Sequence, residues 1–221
     1  LVQPSDGFFA RHFDRRLSSR LSPLFVRLGV TPNAITVVAT LVGLVAAALL
    51  ATQSHALQVA GALLFVGSTI LDGCDGEVAR LSFTSSEFGR RLDLIGDNLV
   101  NGAVFVAIGW GALRADGAAS TALVLATLGG FALATLAGFA FARWVERTGR
   151  GDRFRALYER LASRDFAYFV LLLAVFDRLH GFVWFAAIGS YTFAAVLLAI
   201  RLRAGGSAGP PASTGGGEQW A

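Results

Sequence analysis

LDGCDGEVARLSFTSSEFGRRLDLIGDN, residues 71–98, places four aspartates between two strongly apolar segments of the chain. They are Asp72, Asp75, Asp93 and Asp97. A carboxylate near a bilayer is costly unless a positive group lies close to it. The chemistry of this stretch therefore depends on what neutralises the four negative charges.

The composition of the 221-residue chain indicates a membrane protein. Hydrophobic residues make up 54% of it and charged residues only 15%, and its mean hydropathy is +0.59. Soluble domains carry about 25% charged residues, and a helix of about 20 apolar residues crosses a hydrocarbon core. We predict an all-α polytopic membrane protein with six transmembrane helices, at 33–52, 55–75, 92–113, 120–142, 165–178 and 182–202.

Two further segments flank the predicted spans. Residues 1–30 interleave apolar residues with arginines, which predicts an amphipathic juxtamembrane helix in the headgroup plane. The six-helix transmembrane domain then covers residues 31–203, and Pro32 fits the first turn of its first helix. Residues 204–221, AGGSAGPPASTGGGEQWA, are expected to form a disordered tail because they can bury little apolar surface.

The positions of the basic residues predict the orientation in the membrane. The sequence pI is about 10.2, and all 19 basic residues are arginines. All but Arg114 and Arg178 fall on one side of the six predicted spans. By the positive-inside rule that side is cytoplasmic, which places both termini and the aspartates at the inner face of the plasma membrane. This distribution is better explained by arginines that set the membrane topology and bind phosphate than by nucleic-acid binding.

Helical periodicity groups the aspartates into pairs. Asp72 and Asp75 are three positions apart and Asp93 and Asp97 are four apart, so each pair shares a helix face. Four converging carboxylates would repel one another, and divalent cations would remove that repulsion. Because oxygen-only ligands suit Mg²⁺ or Mn²⁺, we predict two such ions bound together with a diphosphate substrate.

Small residues and a cation accompany the carboxylates. Gly76 and Ala79 lie on the face of the first pair, and Gly89 lies on the face of the second. Small side chains let a ligand approach the backbone closely. Arg80, at the edge of the first face, could bind a phosphate.

Other interpretations of the aspartates compete with this one. A single aspartate could be structural and paired with arginine, but four at paired helical spacing are hard to explain in that way. A calcium-binding EF-hand loop is excluded, because its acids alternate whereas DGCDG spaces them by three. A carboxylate-lined cation transporter is a further alternative, although it would not need the small residues and the arginine.

The same residues resemble a known family. They reproduce the pattern D-x2-D-G-x2-A-R-x8-G-x3-D-x3-D of the CDP-alcohol phosphotransferases at every fixed position and with every gap. We refer to these eight residues as the signature. The resemblance, which also covers the span layout and the preceding amphipathic helix, extends over roughly residues 1–203.

The resemblance implies roles for the signature residues. It assigns Asp72, Asp75 and Asp93 as metal ligands, and Asp97 as the fourth ligand and the general base. It also implies a CDP-binding set, which consists of Gly76, Ala79, Arg80 and Gly89. Enzymes of this family transfer a substituted phosphate from a CDP-alcohol to a second alcohol and release CMP, and they are commonly homodimers.

The substrates are indicated more weakly. The entry PSDGFFARHFDRRLSSRLSPLFVRLGVTPNAIT and the stretch SRDFAYFVLLLAVF resemble the membrane domain of bifunctional inositol-phosphate cytidylyltransferase/di-myo-inositol-phosphate phosphate synthases. This predicts CDP-inositol and inositol phosphate as substrates, and a cytosolic nucleotidyltransferase fused before residue 1. The alternative is a phospholipid synthase that transfers phosphatidyl from CDP-diacylglycerol to a polar alcohol phosphate.

A phosphorylated acceptor would need cations near the metals. Four arginines are candidates for this contact, and each could instead anchor a helix end and set the topology. They are Arg91, Arg143, Arg147 and Arg201.

Overall fold

Helices form all the regular secondary structure of the part of the chain that the structure, a computed structural model, describes: residues 14–116, 121–148 and 166–206. They are α1 (Arg15–Arg27), α2 (Pro32–Leu50), α3 (His55–Leu81), α4 (Glu87–Asp116), α5 (Thr121–Thr148), α6 (Phe166–Val175) and α7 (Leu179–Gly206). The predicted all-α fold is confirmed. Together with the apolar length of its helices, this makes the chain a multi-pass membrane protein.

The predicted number of spans is not confirmed. Five helices, α2, α3, α4, α5 and α7, are long and apolar enough to cross a membrane. The sixth, α6, has 10 residues, and at about 1.5 Å per residue it covers about half of a hydrocarbon core. Residues 149–165, which precede it, lie outside the described ranges.

The helices around the aspartates are longer than predicted. The sequence placed the end of the second span at residue 75 and the start of the third at residue 92, whereas α3 continues to Leu81 and α4 begins at Glu87. Hydropathy marks where a helix leaves the apolar layer, but the helix itself continues wherever its backbone hydrogen bonds persist. The aspartates consequently lie within regular helix, which fixes the directions of their side chains.

Local signals at the turns explain where the helices around the aspartates begin and end. Gly29 has a φ of +68° between α1 and α2, and Thr31 then caps α2 by accepting a hydrogen bond from the backbone N–H of Ala34. The predicted first-turn proline of α2, Pro32, is confirmed. Ahead of α4, the hydroxyl of Ser86 accepts a hydrogen bond from the backbone N–H of Gly89 at 3.0 Å.

Close contacts between helices hold α2 between α3 and α4. A Cβ atom on Gly61 would lie 2.9 Å from the carbonyl oxygen of Ala46, and one on Gly96 would lie 2.5 Å from Oγ1 of Thr40. Glycine lets backbones approach in this way when lipid supplies no hydrophobic driving force. The position of α4 against α2, and with it the depth of the aspartates on α4, is therefore fixed by packing.

Helices α5 and α7 run side by side and form a second part of the structure. The hydroxyl of Thr127 donates to the carbonyl oxygen of Val183 at 3.0 Å, and Phe141 and Leu197 pack together further along the pair. The starts of both helices join the main core through Val124 and Val183. Helix α6 lies against α3 and α7, and its Phe166 packs edge-on against Phe65.

The amphipathic helix is confirmed as α1, over Arg15–Arg27. Its buried face packs against α3. Ser18 and Ser22 are 2% and 0% exposed, and their hydroxyls donate to the two carboxylate oxygens of Glu77 on α3 at 2.9 and 2.8 Å. Leu17 and Leu24 remain exposed and available to lipid. The predictions for residues 1–13 and 207–221 fall outside the described ranges.

Candidate functional site

Three of the four aspartates meet in space. One carboxylate oxygen from each of Asp72, Asp75 and Asp93 lies within 4.8 Å of the other two. Asp72 and Asp75 share a face of α3, and Asp93 reaches them from α4. The group is partly shielded from solvent, with Asp75 only 7% exposed. The predicted convergence of the two helix faces therefore holds for these three residues.

The environment of Asp93 fits a bound cation. Its Oδ1 atom is buried and has no hydrogen-bond partner in the described part of the chain. A buried carboxylate oxygen without a partner is destabilising, and buried polar groups are nearly always paired. A divalent ion shared with Asp72 and Asp75 would supply the missing partner, and three carboxylates form the hard oxygen set that Mg²⁺ or Mn²⁺ prefers.

Helix α2 contributes a residue that orients one of the three carboxylates. The hydroxyl of Thr36 donates to Oδ2 of Asp75, and Thr36 is itself only 3% exposed. This hydrogen bond restricts the orientation of the Asp75 carboxylate. Hydrogen bonds of this kind orient metal ligands and are part of a metal site.

Asp97 lies one helical turn beyond Asp93 and is not part of the three-residue group. With Asp72 it lines a cavity of about 170 Å³, which we call the deep cavity. Asp97 thus lies beside the group formed by Asp72, Asp75 and Asp93, within the packed helices. Its predicted roles as fourth ligand and general base stay predictions.

A second cavity, of about 410 Å³, contains the rest of the signature. We call it the outer cavity. Gly76, Ala79, Arg80 and Gly89 all line it, as do Asp75 and Asp93. The four residues that the resemblance assigns to CDP binding therefore share one space, and two of the aspartates form part of its wall.

The two glycines of the outer cavity have different surroundings. A Cβ atom on Gly76 would meet nothing nearer than Nη1 of Arg80, at 3.5 Å. Packing within the protein does not require a glycine there, so its small size keeps space open in the cavity. A Cβ atom on Gly89 would lie 2.9 Å from Oδ1 of Asn33 and 3.2 Å from Oγ of Ser86, so Gly89 also permits the approach of α2.

A sequence profile of the CDP-alcohol phosphatidyltransferase family matches residues 29–201, a range that includes the whole signature. The chain belongs to this family. In the structure, each of the eight signature residues lines one of the two cavities, and three of them are the aspartates whose carboxylates meet.

Two relatives are similar to this chain over part of their length and part of its own. The bifunctional IPC transferase and DIPP synthase of Thermococcus kodakarensis is 41% identical over 109 residues, which are 49% of this chain and 24% of that protein. The phosphatidylinositol phosphate synthase of Mycobacteroides abscessus is 33% identical over 122 residues, which are 55% of this chain and 54% of that protein. The chain thus matches about a quarter of the first relative and about half of the second.

Solved structures share the fold. The crystal structure of Mycobacterium tuberculosis phosphatidylinositol phosphate synthase (PgsA1) with CDP-DAG bound has a TM-score of 0.62 at 24% identity, covering 83% of this chain and 92% of that one. The same protein in complex with manganese and citrate has a TM-score of 0.63 and covers 82% and 87%. This likeness extends the family fold to most of the chain.

The arginines proposed for an acceptor phosphate are not at the cavities. Arg91 donates to Oε1 of Glu87 at 3.1 Å, and Arg90 donates to both oxygens of the same carboxylate. Arg143, Arg147 and Arg201 are exposed at the ends of α5 and α7. None of the four is among the described residues that line the deep or the outer cavity, so a phosphate contact from any of them stays a prediction.

Sequence reasoning missed the polar residues that extend the site. Thr36 and Thr40 come from α2, Ser68 and Thr69 precede Asp72 on α3, and Asn101 follows Asp97 on α4. A signal was present for Ser68, Thr69 and Asn101, which lie three or four positions from Asp72 or Asp97 on the same helix. What the sequence lacked was any indication that α2 faces α3 and α4 at this depth.

Proposed function

We propose that this chain transfers a substituted phosphate from a CDP-alcohol to the hydroxyl of a second alcohol, with release of CMP. A single observation carries the proposal: the outer cavity contains all four of the CDP-binding signature residues and opens onto the aspartate group. A cation transporter would have no use for that cavity.

Each part of the site has a task in this reaction. Asp72, Asp75 and Asp93, with Asp97 as a fourth ligand, would hold one or two Mg²⁺ or Mn²⁺ ions, which would neutralise charge on the phosphate oxygens. Thr36 orients Asp75 for that task. Arg80 lies at the outer cavity, where its guanidinium can hold a phosphate of the donor, and Gly76 leaves the space that the diphosphate needs.

Asp97 takes the proton in this proposal. The acceptor oxygen forms a bond to the β-phosphorus of the donor while the bond from that phosphorus to the bridging oxygen breaks, and CMP leaves with that oxygen. The acceptor hydroxyl gives its proton to the carboxylate of Asp97, which lies in the cavity adjoining the metal group. Atoms and charges balance without any further reactant.

CDP-inositol and inositol phosphate are the substrates that we favour, and the product would be a phosphorylated di-inositol phosphodiester. The 41% identity to bifunctional IPC transferases and DIPP synthases supports this choice. The same relatives support a cytidylyltransferase as a partner or fused domain, and the family resemblance supports a homodimer. The arginine distribution supports a cytoplasmic site with both termini on that side of the plasma membrane.

A lipid donor is the second candidate, and one observation favours it. A groove of about 480 Å³, lined by eight aromatic and several aliphatic residues, shares Asn101 and Phe166 with the deep cavity. Such a groove could take an acyl chain. In this version CDP-diacylglycerol donates its phosphatidyl group to inositol phosphate or glycerol phosphate.

Measurement of CMP release by the purified protein with Mg²⁺ tests the proposal. Parallel reactions contain CDP-inositol or CDP-diacylglycerol, each with inositol phosphate, and the Asp97→Asn variant is included. We expect release with CDP-inositol and its loss in the variant. Release with CDP-diacylglycerol alone would favour the lipid version, whereas ion flux in proteoliposomes without CMP release from any CDP-alcohol would favour a transporter.

A further inference from the structure

The outer cavity has a second arginine, which the signature does not specify. Arg90 lines this cavity from α4, whereas Arg80, the signature arginine, lines it from α3. Arg91, which the sequence predicted as a phosphate ligand, is not among the described residues that line it. The reaction as described above gives Arg90 no task, although a guanidinium at a substrate cavity can bind a phosphate.

Charges of opposite sign are separated along the outer cavity. Asp75 and Asp93 line the end where the aspartates meet, which we call the inner end. Arg80 follows Asp75 by five positions on α3, which is about 7.5 Å along the helix toward the turn that joins α3 to α4. Arg90 precedes Asp93 by three positions on α4, about 4.5 Å toward the same turn. The cavity therefore has a negative inner end and a positive outer end, with one arginine on each wall.

The carboxylate of Glu87 orients Arg90. Nε and Nη2 of Arg90 donate to its two oxygens at 3.0 and 2.7 Å, and Nε of Arg91 donates to Oε1 at 3.1 Å. A bidentate contact of this kind fixes the plane of a guanidinium. It uses two of the five N–H donors that an arginine carries, so Arg90 can contact a second anion while it stays paired. Because two arginines share one carboxylate, the three side chains together keep a net positive charge.

The start of α4 adds to the positive outer end. Helix α4 begins at Glu87, and the cavity is lined by Ser86, which precedes it, and by Gly89 of its first turn. The N-terminal end of a helix carries a partial positive charge, which favours an anion nearby. The guanidinium and the helix therefore favour the same kind of ligand, a phosphate, at the outer end.

The proposed reaction builds up negative charge at this outer end. Asp97, which takes the acceptor proton, lies one helical turn beyond Asp93 on the inner side, so the acceptor attacks from there. In an in-line displacement the leaving oxygen lies opposite the attacking one, which directs CMP toward the arginines. When the bond from the β-phosphorus to the bridging oxygen breaks, that oxygen stays with CMP, and the negative charge on the CMP phosphate rises from about one to nearly two at pH 7.

We infer that Arg90 binds the phosphate of CMP and stabilises its charge as it leaves. The contact strengthens as the bond breaks, and an interaction that strengthens toward the transition state raises kcat. Arg80 and Arg90 then hold this phosphate from opposite walls of the outer cavity. The inference rests on the proposed function, because it adds a catalytic residue to the same reaction.

Binding of CMP to the purified protein with Mg²⁺, measured by isothermal titration calorimetry, tests this inference. Arg90→Gln should weaken CMP binding about 10-fold or more, the loss expected for a hydrogen-bonded contact between charged groups. Arg90→Lys keeps the charge without the planar fork and should lose less. Cytidine, which has no phosphate, should bind both variants as it binds the unmodified protein.

Arg91→Gln is the matched control. Arg91 shares the Glu87 carboxylate with Arg90, and the two side chains are 70% and 66% exposed, but Arg91 is not among the described residues that line either cavity. Its CMP affinity should equal that of the unmodified protein. No acceptor is present in this measurement, so the predicted contact of Arg91 with an acceptor phosphate does not enter. Tm should be nearly unchanged in both variants, because exposed ion pairs contribute little to stability.

Steady-state kinetics separates a role in the departure of CMP from a role in donor binding. In Arg90→Gln we expect kcat to fall about 10-fold and the KM for the CDP-alcohol to rise less than about 3-fold, because the donor phosphate carries the smaller charge. Arg178→Gln, exposed at the opposite end of the molecule, should keep both values.

Two results would overturn the inference while CMP release still supported the proposed function. One is equal CMP affinity in Arg90→Gln and Arg91→Gln. The other is an equal loss of affinity for cytidine in Arg90→Gln, which would place the guanidinium at the base or the ribose. Absence of both CMP binding and CMP release in the unmodified protein would contradict the proposed function and the inference with it.

Discussion

The carboxylates of Asp72, Asp75 and Asp93 are the proposed metal ligands, and the short distances between them make their mutual repulsion large. Two unit charges within 4.8 Å repel by about 3 kcal/mol or more at an effective dielectric constant of about 20. Thr36 offsets part of this for Asp75 through its hydrogen bond, but the buried oxygen of Asp93 has no such partner in the described ranges. A shared cation would resolve both problems at once.

Asp93→Asn is expected to lower CMP release by roughly 100-fold or more, because several kcal/mol of charge stabilisation depends on the bound ion. In the unmodified protein, saturating Mg²⁺ should raise Tm by about 5 °C or more, and in the variant this rise should be largely lost. Asp177→Asn is the control, since Asp177 is exposed at the far end of α6. An equal Mg²⁺ effect in both variants would remove Asp93 from the metal site.

Gly76→Ala tests whether the outer cavity binds the CDP-alcohol without lowering the stability of the fold. The added methyl group meets nothing nearer than 3.5 Å within the protein, and alanine is the better helix former by about 1 kcal/mol. Tm should therefore hold or rise, while the KM for the CDP-alcohol rises about 10-fold because the methyl group occupies the outer cavity. Gly67→Ala, on the same helix with nothing within 4 Å of its Cβ position, should show the gain in Tm without the change in KM.

At the scale of the elements, α3 is held on both sides near the site. Helix α2 contacts it through Gly61 and through the hydrogen bond from Thr36 to Asp75. Helix α1 contacts it through Glu77, which is 8% exposed and receives two serine hydroxyls. Because Glu77 lies two residues after Asp75, the docking of α1 also supports the position of a proposed metal ligand.

Glu77→Ala is expected to loosen α1. The substitution leaves the buried hydroxyls of Ser18 and Ser22 without their acceptor, at a cost of about 1–3 kcal/mol each. Tm should fall by several degrees, and trypsin should cleave faster at the exposed Arg16 and Arg20.

The size of that effect can be calibrated with two further variants. Glu77→Gln keeps an acceptor oxygen, so its Tm and its rate of cleavage by trypsin should lie between those of the unmodified protein and of Glu77→Ala. Glu87→Ala removes an exposed glutamate from α4 and should leave Tm and the cleavage rate nearly unchanged. Unchanged proteolysis in Glu77→Ala would mean that α1 is held by its apolar contacts, such as those of Leu21 and Phe25.

For the whole molecule, the fold places arginines and aspartates at the same end. The C-terminal end of α3 and the N-terminal end of α4 carry the site, and the C-terminal ends of α5 and α7 carry Arg147 and Arg203. The opposite end carries Arg114 and Arg178. If this asymmetry sets the topology, CDP-alcohol and acceptor both arrive from the cytoplasm.

Cysteine labelling tests this orientation. The native Cys74 is 0% exposed, so it provides a silent background for single-cysteine variants. Phe83→Cys, at a position 96% exposed between α3 and α4, should react with an impermeant maleimide in inverted vesicles alone. Asp177→Cys should react in intact spheroplasts, and the reverse pattern would place the site on the outer face.

The sequence by itself determined the helical fold, the pairing of the aspartates and the identity of the signature residues. The fold and the pairing depend on apolar length and helical periodicity, and the signature was identified by its resemblance to the pattern of a known family. All three are local properties that can be read along one chain. The same locality explains what it did not show. Hydropathy did not indicate that α3 continues as a helix to Leu81, and the predicted count of six spans is not confirmed, because α6 has ten residues in the described part of the chain.

Only the tertiary structure decided which helix faces meet. Thr36 and Thr40 gave no signal as site residues, because their role depends on α2 packing against α3 and α4 through Gly61 and Gly96. Packing likewise grouped Asp93 with Asp72 and Asp75 and placed Asp97 beside the deep cavity. Contacts between residues distant in sequence arise from the fit of whole surfaces, and no stretch of the chain encodes that fit alone.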